Sequence, residues 1–227
     1  MTWGGIIVAA GRGTRLGGPK QFIELAGLPM VGWSLRTFAA MAEIESLVIV
    51  TEPMWLDRMR ELASTLVNGV EVHVVEGGAT RQDSVFNGLS AMPARCDAVF
   101  VHDGARPLVR ADDVRAGMAA VAPGRGAVLG APVVDTIKIV DAATRRVKAT
   151  LDRNELWGAQ TPQFAMREDL VRAHGAARSA SLQATDDVAL LEAAGTEVVM
   201  VPASGENFKV THPHDVARAQ ALLMVRV

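Results

Sequence analysis

Cysteine is almost absent from this chain of 227 residues, which contains a single one, Cys96. One thiol cannot form an internal disulfide, and it cannot by itself supply a zinc site of the multi-cysteine kind. A chain without disulfides fits a reducing compartment. We therefore predict a cytoplasmic location.

Long hydrophobic runs are also lacking. The longer apolar stretches, such as residues 127–134, are far shorter than the ~18 residues needed to span a bilayer. Residues 1–10 have no basic segment ahead of their apolar run, which leads into a glycine-rich loop instead of a cleavage site. The sequence therefore predicts neither a signal peptide nor a membrane partner.

The sequence also lacks an excess of positive charge. Lysine and arginine number 23, aspartate and glutamate 25, and the formal net charge is −2. Such a chain has no global basic field that would gather duplex nucleic acid. We expect no nucleic-acid partner, and positive charge that serves function must act locally.

What the sequence does contain is typical of a globular α/β protein. Apolar residues make up 49% of the chain and charged residues 21%, which excludes a chain that stays unfolded. Short β-branched runs alternate with longer segments of helical spacing, the pattern of parallel strands joined by crossover helices. We predict one domain over residues 1–227, with a mostly parallel sheet flanked by helices.

This alternation also predicts where the elements lie. Strands are expected at six apolar runs, residues 6–10, 46–51, 70–75, 98–103, 127–132 and 197–202. Helices are expected to begin where proline or a capping residue gives a start signal, at Pro29, Pro53, Thr80, Ala111, Arg167, Thr185 and Pro213. In such folds ligands bind at the carboxyl edge of the sheet.

One segment breaks the alternation. Two short strands, residues 136–140 and 146–150, flank a turn-forming stretch at residues 141–144. We call the protruding hairpin that they predict, at about residues 133–155, the hairpin arm. A two-stranded ribbon is barely stable alone, so the arm should lie on its own domain or on a second subunit.

A glycine-rich loop over residues 9–20 follows the first strand directly. Gly11 and Gly13 let the backbone turn tightly and bring N–H groups against phosphate oxygens. Arg15 and Lys20 can neutralise the charge that a phosphoryl group spreads in its transition state. The loop predicts a polyphosphate cradle; the alternative is a glycine-rich turn with two solvated cations.

Two common phosphate-binding patterns are excluded by spacing. The loop is not a Walker A motif, because Pro19 and not lysine follows Gly18. It is not a G-x-G-x-x-G motif either, because Leu16 stands where the third glycine belongs. A G-x-S-x-G nucleophile elbow is also missing from the sequence.

A second glycine turn, in residues 77–84, follows the third expected strand and opens a helix. Its N–H groups and the hydroxyl of Ser84 would face the same sheet edge, where they could read a base. The alternative is an ordinary Gly-Gly turn, with Thr80 as N-cap and Asp83 in a capping-box position.

The fourth expected strand ends on Asp103, with Arg106 three residues later. A carboxylate at a strand end is well placed to hold Mg²⁺ on phosphate oxygens, and an arginine can fork onto a second phosphate. The alternative is a structural Asp103–Arg106 pair that fixes the loop. The five histidines of the chain show no spacing typical of a metal triad.

Taken together, the motifs resemble the 2-C-methyl-D-erythritol 4-phosphate cytidylyltransferases of the non-mevalonate isoprenoid pathway, which join CTP to a sugar-alcohol phosphate and release pyrophosphate. The resemblance runs almost end to end. The matching segments are residues 9–15 and 19–21, 77–84, 101–107, 132–138, 152–157, 161–163, 185–186 and 209–211. It implies a Rossmann-like fold of the nucleotidyltransferase type.

The resemblance also implies a role for individual residues. Arg15 and Lys20 would steady the pentavalent phosphorus, and Arg153 and Lys209 would position the attacking phosphate. The CTP side would comprise Ala10, Gly11, Gly13, Gly78, Ser84, Asp103 and Gly104. Asp103 would also hold a divalent cation such as Mg²⁺. The remaining polyol-phosphate contacts would be Arg106, Thr136 and Thr185.

In that family the hairpin arm crosses to the partner subunit of a homodimer, so Thr136 and Arg153 would serve the neighbouring active site. This sequence departs from the family in a shorter loop before Lys20, in Gly104, where alanine is common, and in Ala79, which occupies an often acidic position. Three alternatives stay open. The first is a ribitol 5-phosphate cytidylyltransferase, and the second is a non-catalytic nucleotide-binding or dimerisation module. The third is guanylyl or other sugar-nucleotidyl transfer on the same fold.

Overall fold

The computed structural model of the chain describes residues 1–11, 13 and 16–226. Its strands are β1 (Trp3–Val8), β2 (Glu24–Leu25), β3 (Leu28–Pro29), β4 (Ile44–Thr51), β5 (Glu71–Glu76), β6 (Ala98–Asp103), β7 (Arg125–Pro132), β8 (Lys138–Val140), β9 (Val147–Thr150), β10 (Trp157–Met166) and β11 (Glu197–Pro202). Its α-helices are α1 (Met30–Ala39), α2 (Leu56–Leu66), α3 (Arg81–Ala91), α4 (Ala111–Ala120), α5 (Arg167–Ser179), α6 (Asp187–Ala193) and α7 (Pro213–Arg226).

Seven of the described strands form one sheet in the order β11-β7-β10-β6-β1-β4-β5. The run β6-β1-β4-β5 is parallel, as is the pair β11-β7, and β10 runs antiparallel to both of its neighbours. The predicted α/β class with a mostly parallel sheet is confirmed. Val8 at the end of β1 pairs with Val50 and with Asp103, so these carboxyl ends meet at one edge.

Both faces of the sheet are buried because apolar residues along the central strands point alternately to each side. Ile7 and Phe100 pack on the face covered by α1, α2 and α4, whereas Ile6 and Val101 pack on the face covered by α3, α5 and α6. A third cluster holds α7 against the start of α1. No helix in the described part of the chain is both long and apolar enough to cross a membrane.

Most helix starts lie where the sequence predicts them, and two differ. Thr80 caps α3 in a full capping box with Asp83, as expected. Residues Pro53–Trp55 form a 3₁₀ turn, and α2 begins only after it. The helix expected from Thr185 begins at Asp187, because the side chain of Asp186 accepts the capping hydrogen bond.

Strand β10 is not among the strands predicted from the sequence. Its middle is polar and contains proline, which argues against a central strand. The structure accommodates this with a register shift between Ala159 and Gln163, so that Pro162 lies within the irregularity. Strand β1 also begins earlier than expected, at Trp3, because glycines weaken the strand pattern there; a Cβ at Gly4 would overlap the sulfur of Met92.

The hairpin arm is confirmed as a two-stranded antiparallel ribbon made of β8 and β9. The carboxylate of Asp141 accepts hydrogen bonds from the backbone N–H groups of Ala143 and Thr144, which fixes the turn. Apolar side chains on the arm stay exposed, among them Val140 at 47% and Val147 at 56%. The arm therefore offers an apolar surface that the described residues of this chain leave exposed.

Candidate active site

A cleft of about 960 Å³ opens at the carboxyl ends of the parallel strands β1, β4, β5 and β6. This volume lies within the range of sites for small molecules and cofactors. The predicted site residues that line it are Ala10, Gly11, Lys20, Gly78, Ser84, Asp103, Gly104 and Lys209. The structure thus brings together residues from four separate stretches of sequence.

The loop after β1 forms one wall of the cleft. Gly13 has a φ of +62°, and a Cβ there would overlap the carbonyl oxygen of Gly18, so only glycine fits. The side chain of Lys20 runs alongside Gly11, with its Cε 3.9 Å from where a Cβ of Gly11 would be. Arg15 lies outside the described residues, so its convergence with Lys20 stays a prediction.

The Gly77-Gly78 turn forms a second wall, next to Ala10. A Cβ on Gly77 would lie 2.6 Å from the Cβ of Ala10, which shows how closely the two walls approach. The hydroxyl of Ser84 accepts a hydrogen bond from Gly78 N at 3.1 Å and donates to Thr80 O at 2.9 Å. Ser84 therefore holds the turn in shape, and this stretch both caps a helix and lines the cleft.

Asp103 ends β6, lines the cleft and is only 7% exposed. Its two carboxylate oxygens contact Arg81 Nε at 3.1 Å and Lys209 Nζ at 2.7 Å. Burial opposes the ionisation of Asp103, but the charges of Arg81 and Lys209 outweigh it and hold the pKa of that carboxyl well below its usual range. Asp103 is therefore an anion at neutral pH.

The alternative of a structural Asp103–Arg106 ion pair is wrong for the described part of the chain. The guanidinium of Arg106 instead donates from Nη1 to the carbonyl oxygen of Asn207, at 2.7 Å. The two residues are close in sequence, but Arg81 and Lys209 come from other elements and occupy both oxygens of the carboxylate.

The sequence assigns no role to Arg81, but in the structure its guanidinium forms two ion pairs at the site. Besides Asp103 it contacts Asp187, with Nη1 2.8 Å from Oδ2, and Asp187 is only 2% exposed. Burial lowers the pKa of Arg81, but the two carboxylates outweigh that effect and raise it overall. The arginine thus ties the end of β6 to the start of α6.

His102 supports the site from beneath the sheet edge and is fully buried. Its Nε2 lies 3.1 Å from the carbonyl oxygen of Arg106, and its Nδ1 lies 3.1 Å from the hydroxyl of Thr161. Because a carbonyl only accepts, Nε2 carries the hydrogen and Nδ1 accepts from Thr161. Burial lowers the pKa of His102 to about 3, so the imidazole is neutral and structural.

The other predicted residues that the structure describes do not line the cleft; they are Gly13, Arg106, Thr136, Arg153 and Thr185. Thr136 and Arg153 belong to the exposed arm, where Arg153 Nη1 donates to Val134 O at 3.3 Å. Thr185 is exposed just before α6, whose first residue Asp187 donates its N–H to Gln163 Oε1 at 2.9 Å. The role of the arm in a neighbouring active site stays a prediction.

The donor set around the cleft fits a magnesium ion held mainly by its substrate. Among the described residues no group of three or more His, Cys, Asp and Glu side chains could hold a metal. Mg²⁺ is usually bound through one or two carboxylates together with substrate phosphates and water. Asp103 is the ionised carboxylate that could serve as a single protein ligand, but both of its oxygens contact Arg81 and Lys209, with which a metal ion would have to share them.

Comparison with known proteins agrees with this geometry. The family model for 2-C-methyl-D-erythritol 4-phosphate cytidylyltransferase matches residues 4–225. The enzyme of that name from Gloeobacter violaceus is 40% identical over 98% of this chain and 96% of its own length. The one from Cereibacter sphaeroides is 43% identical over 98% of this chain and 97% of its own length.

Solved structures point to the same family. The 4-diphosphocytidyl-2C-methyl-D-erythritol synthase of Anaerococcus prevotii superposes with a TM-score of 0.87 at 25% identity, covering 98% of each chain. The cytidylyltransferase of Thermus thermophilus superposes with a TM-score of 0.78 at 32% identity over the whole of both chains. The chain belongs to the 2-C-methyl-D-erythritol 4-phosphate cytidylyltransferase family of nucleotidyltransferases.

Proposed function

We propose that this chain transfers the cytidylyl group of CTP to 2-C-methyl-D-erythritol 4-phosphate and releases pyrophosphate, a step of isoprenoid precursor biosynthesis. The observation that carries the proposal is the cleft itself. Two glycine turns approach closely across it, and Lys20, Asp103 and Lys209 all line it. Backbone N–H groups and cations around one cavity suit a triphosphate.

The reaction requires charge stabilisation more than proton transfer. An oxygen of the polyol phosphate attacks the α-phosphorus of CTP, a new P–O bond forms, and the bond to the leaving pyrophosphate breaks. The attacking phosphate is already an anion, so it needs no general base, and catalysis consists of positioning and electrostatics. The two substrates repel each other, and cations must offset that repulsion.

The residues divide into two groups in this proposal. Lys20 and Arg15 stabilise the charge on the α-phosphoryl group. The residues that contact the nucleotide are Ala10, Gly11, Gly13, Gly78, Ser84 and Gly104. Arg106, Thr136, Arg153, Thr185 and Lys209 bind the polyol phosphate. Lys209 contacts Asp103 and so lies where the two groups meet.

Asp103 would hold Mg²⁺ or another divalent cation. When bound, such an ion withdraws charge from the triphosphate oxygens. The contribution of the chain is to keep Asp103 ionised through Arg81 and Lys209. Both of its oxygens already contact cations, so a metal ion held by Asp103 would share that carboxylate with Arg81 and Lys209 and would take its other ligands from phosphates and water.

We further propose that the protein acts as a cytoplasmic homodimer in which the arms are exchanged. The support is the exposed apolar surface of the arm, with Val134 at 84% exposure besides Val140 and Val147. Such a surface on a two-stranded ribbon needs a partner. The free, buried thiol of Cys96 fits a reducing compartment.

The test is pyrophosphate release from CTP and Mg²⁺ with either 2-C-methyl-D-erythritol 4-phosphate or ribitol 5-phosphate. We expect turnover with the first and at most weak turnover with the second. Preference for ribitol 5-phosphate would replace the proposed substrate. If CTP raised the melting temperature while neither acceptor released pyrophosphate, the chain would be a non-catalytic nucleotide-binding module.

A further inference from the structure

We propose that Asn207 is a positioning residue that places the two cations Arg106 and Lys209 for the polyol phosphate. The inference rests on the proposed function, because it assumes that both cations serve that substrate. It assigns a role to a buried amide that touches neither substrate in the proposed arrangement.

The side chain of Asn207 is completely buried and anchored on β10. Its Nδ2 donates to Gln160 Oε1 and to the carbonyl oxygen of Thr161, both at 2.9 Å. These two acceptors lie in the irregular part of β10, where the register shifts. One amide thus fixes the loop after β11 to the centre of the sheet.

The backbone of the same residue holds Arg106. The carbonyl oxygen of Asn207 accepts from Arg106 Nη1 at 2.7 Å, a charge-assisted hydrogen bond. The backbone carbonyl of Arg106 in turn accepts from Ser34 and His102, so the start of its side chain is fixed as well. The remaining freedom of the guanidinium depends on where Asn207 lies.

Lys209 lies two residues after Asn207, in a short segment whose two ends are fixed by hydrogen bonds. Asn207 fixes one end, and Val210 N donates to the carbonyl oxygen of Ala105 at 2.8 Å at the other. The side chain of Lys209 is 39% exposed and reaches Asp103. The direction in which it can extend is therefore set by the segment that Asn207 anchors.

Arg106 belongs to the polyol-phosphate side and Lys209 lies where the two substrates meet, so the effect of displacing them should fall mainly on the polyol phosphate. Displacing Arg106 and Lys209 should weaken the use of the polyol phosphate and leave the glycine turns of the nucleotide side intact. A purely structural role for Asn207 would lower stability or the amount of folded protein, and it would leave the KM of each substrate unchanged. The change in KM for the polyol phosphate, compared with the change in KM for CTP, therefore distinguishes a positioning role of Asn207 from a purely structural one.

The experiment compares Asn207→Ala with the control Asn87→Ala, at an asparagine that is less buried. Asn87 Nδ2 also donates to a backbone carbonyl, that of Glu76, but on the nucleotide side. For Asn207→Ala we expect the KM for the polyol phosphate to rise at least ~10-fold, with the KM for CTP unchanged within about twofold. Asn87→Ala should leave the KM for the polyol phosphate unchanged.

A second variant keeps the test decisive. If Asn207→Ala does not fold, Gln160→Ala removes one of the two acceptors and should raise the same KM by about threefold. An unchanged KM for the polyol phosphate, or an equal rise in both KM values, would overturn the positioning role in an enzyme that is otherwise active. Wild-type protein that released no pyrophosphate would instead overturn the proposed function, and the inference with it.

Discussion

At the residue scale, the site is organised by charges that come from distant parts of the chain. Asp103 could be singled out from the sequence because it ends a strand at the ligand-binding edge. Its ion pairs with Arg81 and Lys209 could not be predicted, since only the tertiary packing of β6, α3 and the loop after β11 brings the three side chains together. Strand periodicity predicts a place on the sheet edge, whereas ion-pair partners depend on tertiary packing.

Lys20 gives the first prediction at this scale. Replacing it with alanine removes a cation that lines the cleft, and turnover should fall at least ~10²-fold, by analogy with the loss of an oxyanion donor. The melting temperature should stay near that of the wild type, because Lys20 begins a short 3₁₀ turn in a loop. The control is Arg60→Ala, an exposed cation on α2 whose removal should not affect turnover. A folded Lys20→Ala protein with near-normal turnover would remove Lys20 from the mechanism.

His102 gives a prediction on pH. The unfolded state takes up a proton near pH 6.5, whereas the folded state resists it until about pH 3, so lowering the pH favours unfolding. Protonation of this histidine in the unfolded state should lower the free energy of unfolding by about 2 kcal/mol when the pH falls from 7 to 5. Urea unfolding at several pH values measures it, with His102→Gln as the control that lacks the titrating ring. Equal pH slopes for the two proteins would show that His102 is not the group responsible.

At the element scale, connections between elements hold the site in shape. Sequence patterns located most strands and helix starts because apolar runs and caps act locally. They missed β10, whose polar and proline-containing middle is tolerated only because the register shifts there. That irregular stretch supplies Thr161, which supports His102 and Asp103, so the least predictable strand supports the predicted site.

Replacing Arg81 tests the connection that its two ion pairs make between β6 and α6. Arg81→Gln leaves Asp187 buried without its arginine partner, and the imidazole Nε2 of His174 lies 3.5 Å from Asp187 Oδ1. Breaking a buried pair by removing one partner costs about 3–5 kcal/mol, which urea unfolding would detect. The double variant Arg81→Gln, Asp187→Asn should recover most of that loss, because no unpaired charge remains on Asp187. No recovery would show that Asp187 is not the acid that depends on Arg81.

The arm gives a prediction on assembly. Val140 and Val147 are cross-strand partners and half exposed, so replacing both with serine reduces the apolar surface without opening a core. We expect sedimentation velocity to show a shift from dimer towards monomer at the same protein concentration. The melting temperature of the monomer should change little. An unchanged dimer would place the interface elsewhere, and a wild-type monomer would contradict arm exchange.

At the scale of the whole molecule, function follows from where the parallel strands end. The sheet places two glycine turns, one buried carboxylate and two lysines around a single cleft, although these residues are spread from position 10 to position 209. The mostly parallel class and the family were accessible from sequence because both depend on patterns that run the length of the chain. Arg15 lies outside the described residues, and its role remains a prediction.

The proposal that this cleft joins CTP to a polyol phosphate is tested most directly by phosphorus NMR of one reaction mixture. With CTP, Mg²⁺ and 2-C-methyl-D-erythritol 4-phosphate, we expect pyrophosphate and a new diphosphodiester to appear in equal amounts, and neither to form when the acceptor is left out. Triphosphate signals that stay unchanged with the acceptor present, or pyrophosphate formed without it, would refute the proposed transfer.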